Sequence, residues 1–161
     1  MTIKVGDKVP TGTLREKTAD GIDEIATDDF FGGKKVVLFS VPGAFTPTCS
    51  AKHLPGYVSH AADLKGKGVD EIACLAVNDP FVMEAWGKDQ HVGGSVRMLA
   101  DGSGDFTKAL DLVLDLSAIG LGVRGSRFAM VVDDGTVTHL AVEPNPGELD
   151  VSSAESVLGS L

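Results

Sequence analysis

Apolar positions along the chain fall into two alternating kinds of block, near-continuous β-prone runs and stripes at helical spacing. Val36-Val37-Leu38-Phe39-Ser40-Val41 and Glu71-Ile72-Ala73-Cys74-Leu75-Ala76-Val77 are almost unbroken apolar runs, the pattern of strands buried on both faces. A helix start follows each. Pro47 suits a first helical turn because its missing N–H is not needed there, and Thr46 stands at the N-cap position. The helix is predicted to run through Leu54, Val58, Ala61, Ala62 and Lys65, kinked at Pro55-Gly56 and ended by Gly66 and Gly68. Asn78-Asp79-Pro80 opens a second helix with Phe81, Val82, Ala85 and Trp86 as its apolar stripe, before Gly93-Gly94. Val96 to Ala100 reads as a short strand and Asp101 to Gly104 as a loop. A helix carrying Phe106, Ala109, Leu110 and Val113 comes next, then a glycine-rich loop from Leu116 to Gly125.

Both ends of this βα pattern carry turn signals. Asp20-Gly21 and Asp134-Gly135 tolerate positive φ and favour tight hairpins. They predict an N-terminal β-hairpin within Val9 to Asp28 and another joining Arg127–Asp133 to Thr136–Val142. Ser152-Ser153-Ala154-Glu155 matches the capping pattern of a last helix. Alternating βα units closed by a hairpin and a helix imply an α/β fold, a central mixed β-sheet flanked by helices on both faces. That arrangement fits a thioredoxin-like fold. With no linker or internal repeat, residues 1–161 are expected to form a single domain.

Composition narrows the partners. Fourteen basic against 23 acidic side chains give a formal charge of -9, which repels phosphate backbones and anionic lipid, so neither nucleic acid nor membrane is expected as a partner. No apolar run approaches the roughly 18 residues of a spanning helix. The first residues, Met1 to Asp7, lack the pattern of a secretory signal or transit peptide, and a cytoplasmic location is the expectation. Two cysteines, Cys49 and Cys74, are too few for a disulfide framework. In a reducing compartment such thiols are either buried filler or chemically employed.

The stretch Val41-Pro42-Gly43-Ala44-Phe45-Thr46-Pro47-Thr48-Cys49 delivers a thiol from a strand's carboxyl end onto a helix N-terminus. Free N–H groups and the helix dipole stabilise an anion there, and such sites lower a thiol pKa from about 8.5 to between about 3.5 and 7.5. Thr46 can turn its hydroxyl toward the same pocket, donating or accepting as it rotates. Pro42 offers an apolar wall that removes solvent from the sulfur. The same spacing fits equally an ordinary strand-to-helix turn with a buried cysteine.

Pro42-x-x-x-Thr46-x-x-Cys49 resembles the active-site signature of the peroxiredoxins, and the full Pro-Gly-Ala-Phe-Thr-Pro-Thr-Cys run resembles their type II, or peroxiredoxin five, subfamily. The similarity continues through Lys52–Tyr57, Val77–Met83, Leu99–Gly102 and Ser126–Asp133, nearly the whole chain. The resemblance implies a thiol peroxidase without cofactor that reduces hydrogen peroxide and small organic hydroperoxides. It implies that Cys49 attacks the peroxide, that Thr46 orients it and that Pro42 shields the thiolate. It gives Arg127, just before a strand, the part of holding the thiolate and stabilising charge on the departing oxygen, with Arg124 as the nearby alternative. Cys49 would become a sulfenic acid, which a thiol must restore.

Animal members of the subfamily resolve that intermediate with a C-terminal cysteine, and the matching stretch, Gly147 to Ser152, contains none. Cys74 resembles the second cysteine of plant and bacterial type II enzymes, which glutaredoxin with glutathione, or thioredoxin, recycles. Its apolar strand context favours a small core side chain over a resolving cysteine, so an external reductant is the expectation. Subfamily members often pair through the active-site edge, which implies a homodimer using Phe45, Phe81, Val82, Trp86 and the Leu116 to Gly122 loop. Core packing is the competing explanation for those apolar side chains.

Other signals lead elsewhere. Gly120-x-Gly122-x-x-Gly125 matches a dinucleotide fingerprint but precedes a strand where the fingerprint should follow one. Cys49 and His53 share the i, i+4 spacing of metal ligands, yet two ligands are too few, and His60, His91 and His139 are scattered. The rival functions are a thioredoxin-fold redox relay or peroxide sensor that forms mixed disulfides through Cys49, and a holdase chaperone.

Overall fold

The computed structural model describes residues 1–161. The N-terminal hairpin forms from β1 (Thr13–Thr18) and β2 (Gly21–Ala26), with Thr18 opposite Gly21. A short helix α1 (Thr27–Phe31) leads to β3 (Lys35–Ser40). A helical stretch follows, comprising a widened turn at Cys49–His53, α2 (Leu54–Ser59) and α3 (Ala61–Gly66). Then come β4 (Glu71–Ala76), α4 (Pro80–Asp89), β5 (Arg97–Ala100) and α5 (Asp105–Leu110). The chain ends with β6 (Val113–Leu116), β7 (Gly122–Gly125), β8 (Phe128–Asp133), β9 (Thr136–Val142) and α6 (Ala154–Ser160).

Seven strands make one sheet in the order β2-β1-β5-β4-β3-β8-β9. β3, β4 and β5 run parallel, and β8, β9 and the first hairpin are antiparallel, so the sheet is mixed. Strand alternation splits the core into two layers. Val37, Phe39, Ile72, Cys74, Ala129 and Val131 face a layer completed by Leu54, Tyr57, Leu64, Trp86 and Val157 of the helices. Val36, Leu38, Ala73, Leu75, Met130 and Val132 face the other, completed by Phe30, Phe31, Phe106 and Leu110. Cys49 belongs to the first layer. Helices cover both faces, the thioredoxin-like architecture.

Four local expectations need correction. Leu116 to Gly125 is not a loop: β6 and β7 pair as a second, two-stranded sheet around a 3-10 turn at Ser117–Ile119. Val113 opens β6 and does not belong to the preceding helix, because Asp111 adopts φ 58 and ends α5; the short polar side chain of Asp tolerates that left-handed conformation. In α4 the buried side is Met83, Trp86 and Gly87, with Phe81 and Ala85 exposed. The helix lies over β1 and β5 and so turns a different stripe inward.

The helix after β3 bends differently from expectation as well. Pro55 lacks the N–H that would bond Ala51, and its ring would press on that residue's carbonyl. The turn at Cys49–His53 widens to i→i+5 bonding, closed by the Leu54 N–H on the Cys49 carbonyl, and the axis breaks further on at His60.

Leu38 is fully buried in the layer opposite Cys49. Leu38→Ala is expected to lose about 2–5 kcal/mol of stability in urea unfolding. Peroxide consumption per folded molecule should be unchanged.

Candidate active site

Register decides which residues meet at the carboxyl end of β3. Ser40 pairs with Phe128, and Phe128 pairs with Val142. The segments just after β3, just before β8 and just after β9 therefore share one end of the sheet. They contain Pro42–Cys49, Arg127 and Glu143.

The loop after β3 is held at several points. The Val41 N–H donates to Leu75 O at 3.1 Å and the Ala44 N–H to Asn78 Oδ1 at 2.9 Å. Phe45 takes φ 65, a left-handed conformation uncommon for a bulky residue. The Thr46 hydroxyl donates to Gly43 O at 2.7 Å, so its side chain does not cap the helix; its carbonyl accepts the first helical bond, from the Ser50 N–H at 2.9 Å. The hydroxyl oxygen keeps lone pairs for another donor. Cys49 falls in the first turn of this helical stretch and is fully buried.

Arg127 is also buried, at 2% exposure. Each arm of its guanidinium has one partner: Nε donates to Pro146 O at 3.0 Å, Nη1 to His53 Nδ1 at 2.8 Å and Nη2 to Cys49 Sγ at 3.1 Å. Arg124 points elsewhere, donating to Leu121 O and Val77 O. Of the three Arg127 partners, a carbonyl and an imidazole are neutral, and only the sulfur can become an anion. A buried guanidinium without a counter-ion is strongly unfavourable. The Cys49 sulfur is thus the one contact of the guanidinium that could balance its charge.

In the sequence His53 stands out only for its metal-ligand spacing from Cys49. Both its ring nitrogens are engaged: Nε2 lies 3.1 Å from Ser152 O and must donate to it, which leaves Nδ1 to accept from Arg127. Burial, reinforced by the Arg127 charge, lowers its pKa to about 3. The imidazole is neutral at physiological pH and adds no second cation beside Arg127. The i, i+4 spacing with Cys49 was the available signal, since it puts both side chains on one side of the helix.

Pro42, Thr46 and Arg127 line one cavity of about 290 Å³, together with Leu114, Leu116, Ile119 and Leu121 of the β6–β7 unit. Cys49 is not one of the lining residues; its sulfur is bonded by Arg127, which is. The cavity can admit a small oxygen-bearing molecule beside an aliphatic wall, with a cation and a hydroxyl-bearing side chain on its lining and the Cys49 sulfur one hydrogen bond beyond the cation. Cys74 faces the same layer as Cys49 from β4, opposite Phe39 on the neighbouring strand. Burial, with Cys49 nearby, holds its thiol protonated well above the usual range.

The redoxin family pattern matches residues 4–158. This chain belongs to the redoxin family. Peroxiredoxin-2B of Arabidopsis thaliana is 52% identical over 99% of this chain and 98% of its own length. Reduced Prx3 of Vibrio vulnificus, solved in complex with hydrogen peroxide, superposes with a TM-score of 0.94 at 50% identity, covering 99% of both chains. Peroxiredoxin 5 of Alvinella pompejana superposes at 0.86 with 40% identity, over 98% of this chain and 97% of that one. Within the family the chain is thus a peroxiredoxin of the type II kind, a thiol-dependent peroxidase.

The lowered His53 pKa has a consequence for stability. The unfolded chain takes up a proton at His53 near pH 6.5, whereas the folded chain does so only at about 3. The contribution of neutral His53 is complete above 6.5 and drains away as pH falls toward 3. His53→Gln cannot titrate but can still accept from Arg127 and donate to Ser152. Its urea midpoint is expected to fall less than the parent's on acidification through that window.

Proposed function

We propose that Cys49 is the peroxidatic nucleophile of this enzyme, aided by Arg127, Thr46 and Pro42. The observation that carries the reading is the 3.1 Å hydrogen bond from Arg127 Nη2 to Cys49 Sγ in a buried site with no other anion on the guanidinium. The thiolate attacks one peroxide oxygen, the O–O bond breaks and the sulfur is oxidised to a sulfenic acid. The departing oxygen carries the electron pair, takes up a proton and leaves as water or an alcohol. Arg127 stabilises charge on that oxygen as it develops. Thr46 accepts a hydrogen bond from the incoming peroxide, and buried Pro42 keeps water off the sulfur.

The substrates are hydrogen peroxide and small organic hydroperoxides. The Vibrio vulnificus relative was solved with the former, and the Leu114, Leu116, Ile119 and Leu121 wall suits the alkyl group of the latter. Glutaredoxin with glutathione, or thioredoxin, in a reducing cytoplasm restores the sulfenic acid: one thiol condenses with it to a mixed disulfide and water, and a second releases Cys49. Cys74 takes no part, since it is fully buried in an apolar strand with its thiol held protonated.

Stopped-flow mixing of reduced protein with one equivalent of hydrogen peroxide, followed by intact mass, tests this. The parent should gain one oxygen, Cys49→Ser should neither consume peroxide nor gain mass, and Cys74→Ser should behave as the parent. Glutaredoxin-supported turnover of Cys74→Ser should stay within about twofold, a barrier change of under about half a kcal/mol. Loss of two hydrogens by the parent, or collapse of turnover in Cys74→Ser, would overturn the external-reductant route.

A homodimer through the cavity edge completes the reading. Phe45, Phe81 and Ile119 are 51%, 62% and 70% exposed, large apolar side chains that a second copy would cover. Trp86 by contrast is core, which narrows the expected interface. Sedimentation of the parent at micromolar concentration should give a dimer, and Phe81→Asp combined with Ile119→Asp a monomer; a monomeric parent would contradict the assignment.

A further inference from the structure

Two arms of the Arg127 guanidinium end on a single loop, residues 143–152, directly at Pro146 O and through His53 at Ser152 O. One side chain closes that loop. The Glu143 N–H donates to Arg127 O at 2.9 Å, carrying the β8–β9 ladder one step past Phe128–Val142. Its carboxylate turns back and accepts from the N–H groups of Asp150 at 2.9 Å, Val151 at 3.3 Å and Ser152 at 2.7 Å, and from the Ser152 hydroxyl at 2.6 Å.

Glu143 is 6% exposed, and its partners are N–H and O–H donors, none of them a lysine or arginine. Burial pushes its carboxyl pKa up, but these hydrogen bonds outweigh burial and hold it below the usual range. An ionised carboxylate satisfied by successive backbone donors fixes their peptide planes tightly. Ser152, so held at its N–H and its hydroxyl, presents its carbonyl, one peptide unit further on, to the Tyr57 hydroxyl at 2.8 Å and to His53 Nε2. His53 in turn receives Arg127 Nη1. A planar guanidinium held at Nε and Nη1 has no freedom left in the direction of Nη2, and Nη2 is the arm on the sulfur.

We propose that Glu143 is a positioning residue for peroxide reduction: it staples residues 150–152 so that Ser152, through His53, aims Arg127 at Cys49. The proposal rests on the roles assigned above to Cys49 and Arg127. Misplacement of a reacting group by a fraction of an ångström to an ångström lowers rates by one to two orders of magnitude, so the effect is measurable without loss of the fold.

The test compares the reduced parent, Glu143→Gln, Ser152→Ala, His53→Ala and the Glu143→Gln, His53→Ala double variant. Three quantities are read: the bimolecular rate constant with hydrogen peroxide, the pH midpoint of the Cys49 thiolate's ultraviolet absorbance, and the urea midpoint. Glu143→Gln keeps the shape but loses the charge and one acceptor oxygen. Its rate is expected to fall about tenfold with the thiolate midpoint moved to higher pH. Ser152→Ala, which removes one donor of four, should move both in the same direction by less. In the His53→Ala background Glu143→Gln should add little further loss, because the link it acts through is already cut.

A Glu143→Gln rate within about twofold of the parent with only the urea midpoint lowered would reduce Glu143 to a loop staple and overturn the proposal. Full additivity with His53→Ala would do the same. Should Glu143→Gln fail to fold, Ser152→Ala and its double variant with His53→Ala decide the matter by the same criteria. Cys49→Ser serves as the control: if it still consumed peroxide the underlying reading would fall, and if it is inert while Glu143→Gln matches the parent, the positioning proposal falls alone.

Discussion

A guanidinium taken out of water needs an anion beside it, and in this molecule the candidate anion is a sulfur. Arg127 is buried, its arms end on a carbonyl, a neutral imidazole and Cys49 Sγ, and the last is the only one able to take a negative charge. Desolvation makes the pair mutually dependent, because either group ionised alone in that position would be strongly unfavourable. The chemistry of a peroxidase then needs little more than a path for the peroxide. A neutral His53 matters to this balance: a second cation on Nη1 would repel the first, whereas an imidazole acceptor steadies it.

The fold serves that pair from both sides. Strand register brings Arg127 and the loop after β3 to one sheet end, and the widened turn ahead of Pro55 carries both Cys49 and His53. Phe39 supports the arrangement from the strand. Its ring stacks on Tyr57 at 3.9 Å with an interplanar angle of 4° and lies 5.0 Å from the His53 ring. A central strand, a helix and the His53 ring are thus locked together below the site. The β6–β7 unit stands on the other side of the cavity and supplies an aliphatic wall.

Much of this was legible in the residues. Buried parallel strands announce themselves as unbroken apolar runs, as in Val36–Phe39 and Ile72–Ala76, and Asp-Gly pairs mark the hairpins, so sheet and helix order could be read directly. The Pro42, Thr46 and Cys49 spacing, with Arg127 before a strand, pointed through its resemblance to the peroxiredoxin signature to residues that the structure brings to one end of the sheet. What escaped depends on long-range contact. A hairpin of four-residue strands hidden in a glycine-rich stretch, β6–β7, has no periodicity long enough to detect. The inward stripe of α4 is set by the β1 and β5 surface it covers, which local spacing does not encode. His53 and Glu143 escaped for a related reason: their importance lies in partners 74 and 9 residues away, Arg127 and Ser152. A histidine four residues after the cysteine and an acidic residue after the last strand were both visible without revealing what they hold.

The single-turnover rate constant of reduced Arg127→Lys protein with hydrogen peroxide bears most directly on the central pair. Lysine keeps the positive charge but loses the planar fork that reaches His53, Pro146 and the sulfur together. The rate constant is expected to fall on the order of a hundredfold or more. A rate within about twofold of the parent would mean that cation placement at Cys49 is not what drives the reaction.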